Sequence, residues 1–412
     1  MRLSTLQTYN NGLNSILSAQ EAVNKTQQQV SSGRRVLTPA DDPIASTKIL
    51  QLQQDLAQRE QYETNMVAAE NRLNLEEVTL SSITESLTRV QELTVNAGSG
   101  SLTKEDRQAI SAEIRELEDG LASLFNTRDP NGEFIFAGFK GSTQPLQKGE
   151  NGRYNYHGDE GQRYLAIGDT TRVPTGDNGK RLFMDVNSAK NTFTTSVNPN
   201  NTGNTKVNAG FVVDEDAYAE FYPDDLVVTF NNENAITPPG PNFTIRRVSD
   251  NRVVEGMSNR AYEDGKEVVV AGISLRMNGE PKAGDEVLAH SSSKQSITDT
   301  LFRLRQGLDT LEDNPDDSAT LDILIEDSLT NLASAQTSVS EVRSQIGARL
   351  NIIDNTRSMS EDVKLVSQEV LSELSDVDFA EAVSRLSLQT FLLEAAQQSY
   401  TTISRLSLFN QL

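Results

Sequence analysis

Apolar residues near the C-terminal end repeat with a helical period. Leu386, Leu393 and Tyr400 fall seven residues apart, and Ala382, Ala396 and Ile403 lie on the neighbouring row, which the polar Gln389 shares. That spacing predicts one amphipathic helix over Asp378–Leu408 with a narrow, heptad-like seam. Asp378 and Glu381 are placed to cap its start, the Asp accepting from free backbone N–H groups and the Glu reaching back. At ~1.5 Å per residue the rod is about 45 Å long. A stripe this narrow needs a partner helix, and the N-terminal end offers one. Tyr9, Ile16, Val23 and Val30 are also seven apart, while Leu6 and Leu13 open a second row that Gln20 and Gln27 continue. Polar seam positions lower stability and help to set register. The pattern fits two surface helices of a bundle, or ends that pair with each other and with neighbouring copies.

The first helix should stop near Val30, with Gly33 placed for a left-handed C-terminal cap. Pro39 and Pro43 bracket the connector that follows. Asp42 is placed to cap the next helix, with Pro43 at its first position, where a missing N–H costs nothing. That helix should run over residues 43–97. Met66, Leu73, Leu80 and Leu87 form one row, and Ala69, Ile83 and Val90 the next, which Glu76 breaks. Thr103 then caps a shorter helix whose stripe is Ile110, Ile114, Leu117, Leu121 and Leu124. The second half mirrors the first. Ile297, Leu301, Leu304, Leu308 and Leu311 mark a short helix; Ile325, Leu332, Val339, Ile346 and Ile353 mark a long one, and Val363, Val366 and Val370 continue its apolar face. Each half leaves a stripe bare, so the two halves must meet.

Between them the texture changes. Asp129, Pro130, Asn131 and Gly132 are turn chemistry, and Phe134–Phe136 is a short run with strand character. Nine of the twelve prolines lie between Pro130 and Pro281. Short apolar runs recur at Tyr164–Ile167, Leu182–Val186, Phe211–Val213, Leu226–Phe230, Phe243–Val248 and Val268–Leu275. Asn198–Asn208 is polar and reads as an exposed loop. The fold class is therefore mainly α with an all-β insert: a long helical bundle or coiled coil formed by both chain ends, with a sandwich- or barrel-like middle domain. The expected division is 1–42 with 375–412 for terminal assembly, 43–145 with 285–374 for a helical bundle, and 146–284 for the β-rich part.

Composition narrows the function. The formal net charge is −22, and the ends hold little of it: residues 1–42 carry four Lys/Arg against three Asp/Glu, and 375–412 carry two against four. An acidic body without a basic patch argues against nucleic acid. Near-neutral ends can pack on copies of themselves without strong repulsion. The absence of cysteine excludes a disulfide framework and thiol chemistry. There is no apolar run long enough for a membrane span, and the first thirteen residues lack the continuous apolar core of a cleaved signal. The two histidines, His157 and His290, have no His or Cys at ligand spacing, so no metal or cofactor site is expected. The Asp41–Asp42 pair suggests a general acid and base or a calcium ligand, but the cap reading explains Asp42 alone and the spacing lacks the alternating oxygen ligands of an EF-hand loop. Asp214–Asp216 reads as a solvated acidic loop rather than a cation site. No nucleophile elbow, phosphate loop or zincin motif is present, so an enzyme is not expected.

Ser32, Gly33 and Arg35, followed by Ala40, Asp41, Asp42 and Pro43, resemble the N-terminal signature of the bacterial flagellin family. Asp378, Phe379, Ala380, Glu381 and Ala382, with Leu386, Gln389 and Leu393 after them, resemble its C-terminal signature. The likeness covers about the first 140 and last 120 residues. The Gly132–Gly138 stretch, with Phe134, Ile135 and Phe136, is similar to one in family members that join the flagellar hook to the filament. The segment from Pro281 to Ala289 is similar to a Gly-Asp strand in the same members.

The resemblance implies a structural flagellar subunit that forms a ring between hook and filament and polymerises through its terminal helices. Its expected partners are itself, another junction protein on the hook side, flagellin, and the flagellar export apparatus with a chaperone. It would be extracellular, leaving through the flagellum's own type III export channel without a cleaved signal. Leu6, Leu13, Ile16, Val23, Val30, Leu386, Leu393, Tyr400 and Ile403 are the expected assembly contacts. Gly33, Arg35, Asp41, Asp42, Pro43, Asp378 and Phe379 carry the family motif. A filament flagellin is the alternative within this class. A β-domain binding module displayed on a helical stalk is the alternative outside it.

Overall fold

A computed structural model describes residues 5–149, 152–207 and 210–409. The N-terminal half contributes α1 (Thr5–Ser32), α2 (Pro43–Ala97) and α3 (Lys104–Phe125). After the β-rich middle come α5 (Ile297–Thr310), α6 (Pro315–Ser375) and α7 (Phe379–Phe409), with the short α4 (Glu215–Phe221) inside that middle. The chain forms two compact units, Met1–Asn65 with Asp354–Leu412, and Met66–Ile353.

In the larger unit the heptad rows become the core. Met66, Leu73, Leu80 and Leu87 of α2 are fully buried, as are Val339, Ile346 and Ile353 of α6. α3 packs on α5 through Ile114, Leu121, Leu301, Leu304 and Leu308, all buried. Thr103 caps α3 in a complete capping box with Asp106, which satisfies backbone donors that the helix start leaves unpaired. Across the bundle, the Arg343 guanidinium donates to Glu77 Oε1 at 2.7 and 3.0 Å.

The middle opens with two small hairpins, β1 (Leu146–Lys148) with β2 (Tyr154–Tyr156) and β3 (Tyr164–Ala166) with β4 (Arg172–Pro174). It continues with β5 (Val186–Val197), β6 (Lys206–Val207), β7 (Phe211–Val212), β8 (Leu226–Phe230), β9 (Asn242–Arg247), β10 (Arg260–Ala261), β11 (Glu267–Val270), β12 (Ile273–Asn278) and β13 (Glu286–Gln295). One antiparallel sheet has the order β10-β9-β8-β13-β5; a second has the order β11-β12-β6, with β7 also paired to β12. A shared core of Phe193, Tyr218, Val228, Ile245, Leu275, Val287 and their neighbours joins the two sheets.

Four expectations for this middle are corrected. Leu182–Val186 is not a strand: Lys180–Met184 makes one π-helical turn, and the strand starts at Val186. Leu182 and Phe183 are both buried within that turn. Phe183 stacks on Phe125 with ring centroids 3.7 Å apart. Val268–Leu275 is two strands, turned at Ala271 and Gly272, whose φ values are +47° and +79°. Phe134–Phe136 forms no strand, only a single bridge from Phe134 to Arg128, although all three residues are buried. Asp214–Asp216 is not a loop: the Asp214 carboxylate accepts from the Ala217 N–H and caps α4.

Candidate assembly interface

The smaller unit holds both family motifs, and its local structure follows from them. α1 ends at Ser32, and Gly33 takes a left-handed φ of +70°, a conformation that costs a glycine little. A Cβ there would lie 3.8 Å from the Phe379 ring. The chain then runs antiparallel to the end of α6. Arg35 N–H donates to Ser375 O at 2.7 Å, and Val377 N–H donates to Gly33 O at 2.9 Å. The Arg35 guanidinium also donates to Leu374 O at 2.9 Å and reaches Asp42 at 3.4 Å. Gln29, buried on α1, donates to Arg35 O at 2.6 Å.

Asp41 and Asp42 divide the capping work. Asp42 accepts from Ala45 N–H at 3.0 Å at the start of α2, with Pro43 at the first helical position. Asp41 accepts from the N–H groups of Leu37 and Thr38 and pairs with Lys25 at 2.6 Å. The Lys25 ammonium, then the Thr38 N–H, hold its carboxyl down at about 2. The Ala45 N–H and then Arg35 lower Asp42 as well. Asp378 accepts from Ala380 and Glu381 N–H groups at 2.9 and 3.1 Å and starts α7. The motif residues are thus a clasp of caps and backbone bonds where four helix ends meet.

Above this clasp α1 packs on α7. Ala382 and Leu393 are buried in the seam, and Leu386, Gln389, Ala396 and Tyr400 are half-buried. From α1 come the half-buried Ile16, Val23 and Val30. The second row of α1 departs from the expected one. Leu13, Gln20 and Gln27 are exposed, and the seam is completed by Gly12, Ala19 and Thr26. Small residues let the helices approach: a Cβ on Gly12 would stand 2.9 Å from Tyr400 Cδ2. The side chains of Leu6, Tyr9 and Ile403 lie outside the described residues.

A second set of apolar residues remains bare. On α7, Leu388, Phe391 and Leu392 are 59%, 66% and 52% exposed, Phe391 opposite the seam and the two leucines to one side of it. Leu17 on α1 and Leu365 and Val366 on α6 are also exposed. Val366 and Val370 therefore do not bury the face that their spacing suggested. A seven-residue period finds the seam; it gives no signal for this outer row. Among the described residues, no helix is long and apolar enough to cross a membrane, and no cluster of potential metal ligands occurs.

Comparison with known proteins agrees with this geometry. The model of the bacterial flagellin N-terminal helical region matches residues 3–140, and that of the C-terminal helical region matches 329–412. The chain belongs to the bacterial flagellin family. Within it, flagellar hook-associated protein 3 of Escherichia coli is 25% identical over 409 residues, 99% of either chain. That of Salmonella typhimurium is 34% identical over 188 residues, 46% of this chain and 58% of that protein. The crystal structure of flagellar hook-associated protein 3 from Legionella pneumophila superposes with a TM-score of 0.54 and 28% identity, over 79% of this chain and 98% of its own.

Proposed function

We propose that this chain is a structural subunit of the flagellum that forms the junction ring between hook and filament. The observation that carries the reading is the end-to-end similarity to a hook-associated protein 3, over 99% of both chains. The clasp and the seam support it physically. They fix the two chain ends as one helical pair, and the pair presents apolar side chains outward. On this reading the seam residues Ile16, Val23, Val30, Leu386, Leu393 and Tyr400 hold the pair together within a subunit. Leu6, Leu13 and Ile403 remain assigned to assembly with them. Leu17, Leu388, Phe391 and Leu392 then meet neighbouring copies. Burying each such side chain contributes ~1.5–3 kcal/mol.

The ring would rest on another junction protein at the hook side and carry flagellin above it. Export would use the flagellar apparatus with a chaperone, without signal cleavage. The domains divide the work as terminal assembly (1–42 with 375–412), bundle (43–145 with 285–374) and outer β-rich surface (146–284). Nothing in this function asks for catalysis. The test is saturation binding to purified hooks already carrying the other junction protein, read by electron microscopy and copy number. Growth that stops after one short layer supports the junction role. Growth into a long filament would make the chain a flagellin. Failure to bind would leave the β-rich middle as a recognition domain on a stalk.

A further inference from the structure

Glu76 interrupts an otherwise apolar row of α2, and the assembly reading gives it no task. It is 1% exposed. Its Oε1 accepts the Asp177 N–H at 3.0 Å. Asp177 is in turn held by Arg349, whose guanidinium donates to both carboxylate oxygens at 2.7 and 3.2 Å. Glu76 Oε2, by contrast, has no hydrogen-bond partner among the described residues, and neither does Arg72 Nε. One terminal nitrogen of Arg72 is engaged, 3.3 Å from Asp129 and 3.6 Å from Glu133.

These two orphaned atoms converge on one place. A Cβ built on Gly176 would lie 3.7 Å from Arg72 Nε, 3.7 Å from Glu76 Oε2 and 3.8 Å from Ile135 O. One point is therefore flanked by a donor, a carboxyl oxygen and a carbonyl acceptor. A cavity beside it, lined by Arg72, Ile135, Gly138, Gly161, Arg163, Thr175, Gly176 and Asp177, has room of about 10 Å³. A single water needs ~10–15 Å³ and two to four polar partners. A cation is opposed by the Arg72 and Arg349 guanidinium groups, and an anion by the Asp177 carboxylate.

We propose that Gly176 holds open an internal water site, in which one water accepts from Arg72 Nε–H, donates to Ile135 O and shares a hydrogen bond with Glu76 Oε2. The water joins α2 to the segments around Ile135 and Gly176, and through Asp177 and Arg349 to α6. It satisfies two buried polar atoms that would otherwise carry their full desolvation cost. Glycine is required for room rather than for backbone conformation, since Gly176 is absent from the positive-φ positions.

That distinction makes the test decisive. A Gly→Ala change at a compatible backbone position with ordinary contact distances stabilises a protein by restricting the unfolded chain. Gly176→Ala should do the opposite, because its methyl group takes the water's place. The experiment is a crystal structure of the full chain showing ordered waters, with thermal unfolding of wild type and Gly176→Ala. The expected result is one water within about 3.2 Å of all three atoms in wild type. The variant should lack that water and melt about 3–6 °C lower. A direct Arg72 Nε to Glu76 Oε2 bond, a dry site in wild type, or a variant as stable as wild type would overturn the proposal. Should the variant fail to fold, the wild-type map decides alone.

Discussion

Arg35 and Ser375 are joined backbone to backbone at 2.7 Å, tying the exit of the first helix to the end of the sixth. Residues near the two ends of the chain thereby become neighbours, and α1 and α7 start from one fixed place. Removing the Arg35 side chain takes away its bonds to Leu374 O and Asp42 and leaves the backbone bond alone. Arg35→Ala should therefore loosen the clasp without unfolding the larger unit. Amide exchange should accelerate at Arg35 and Val377 and stay unchanged at Leu80; equal protection at Val377 would show that the guanidinium contributes nothing.

Gly33 should tolerate replacement poorly. Its φ of +70° costs an L-residue about 1 kcal/mol or more. Gly33→Val should cost more than Gly33→Asn, because Asn enters the left-handed region more readily. Chemical denaturation of the two variants compares them directly, and an equal loss would mean that the cap geometry is not what matters.

Seam and outer face should separate by mutation. Leu393→Asp places a charge at a buried seam position and should cost about 3 kcal/mol or more in the α1–α7 pair. It should abolish incorporation into flagella while the bundle and β-rich part stay folded. Phe391→Asp alters a residue already 66% exposed, so the monomer should keep its stability. It should nevertheless lose incorporation. Normal incorporation of the Phe391 variant would remove the outer row from the interface.

Gly12→Leu tests how closely the helices approach. A Cβ there meets the Tyr400 ring at 2.9 Å, and a larger side chain drives α7 away from α1. Helical content should fall by circular dichroism, and a paired Tyr400→Ala change should restore part of it. No rescue would place the effect elsewhere than in this contact.

Stability should depend on pH through Glu76. Burial, and then the Asp177 carboxylate, push its carboxyl up to about 8 from an ordinary value of 4.5. The folded state therefore keeps a proton that the unfolded chain gives up. The stabilisation is fully present below about pH 4.5, and it is lost as pH rises through 8. Glu76→Gln keeps the acceptor for the Asp177 N–H and removes the titration. Its unfolding midpoint should fall less than that of wild type between pH 5 and 9. Superimposable profiles would show that Glu76 does not titrate in this window.

Much of the helical architecture was legible because heptad spacing is a local property of the chain. The rows Met66, Leu73, Leu80, Leu87 and Val339, Ile346, Ile353 are the observed core, and the caps at Thr103, Asp42 and Asp378 were readable from residue type and position. The β-rich middle was less legible. β5 is a twelve-residue strand dominated by polar residues, and it forms because β13 lies beside it. Leu182 and Phe183 look like strand residues, yet Phe125 draws them into a helical turn. In the candidate site, Gly12 was missed as a seam residue because glycine carries no apolar signal.

The sequence by itself determined where the long helices run, where they are capped, and that their stripes must find partners. These follow from periods, caps and turns, which act over a few residues. Only the tertiary structure decided which row meets which. It filled the α1–α7 seam with Gly12, Ala19 and Thr26 in place of Leu13, Gln20 and Gln27, and it left Leu388, Phe391 and Leu392 outside. It also gathered the buried Glu76, Asp177 and Arg349 beside the half-buried Arg72. The physical reason is that packing selects by shape and by the pairing of buried charges, and both depend on residues far apart in the chain.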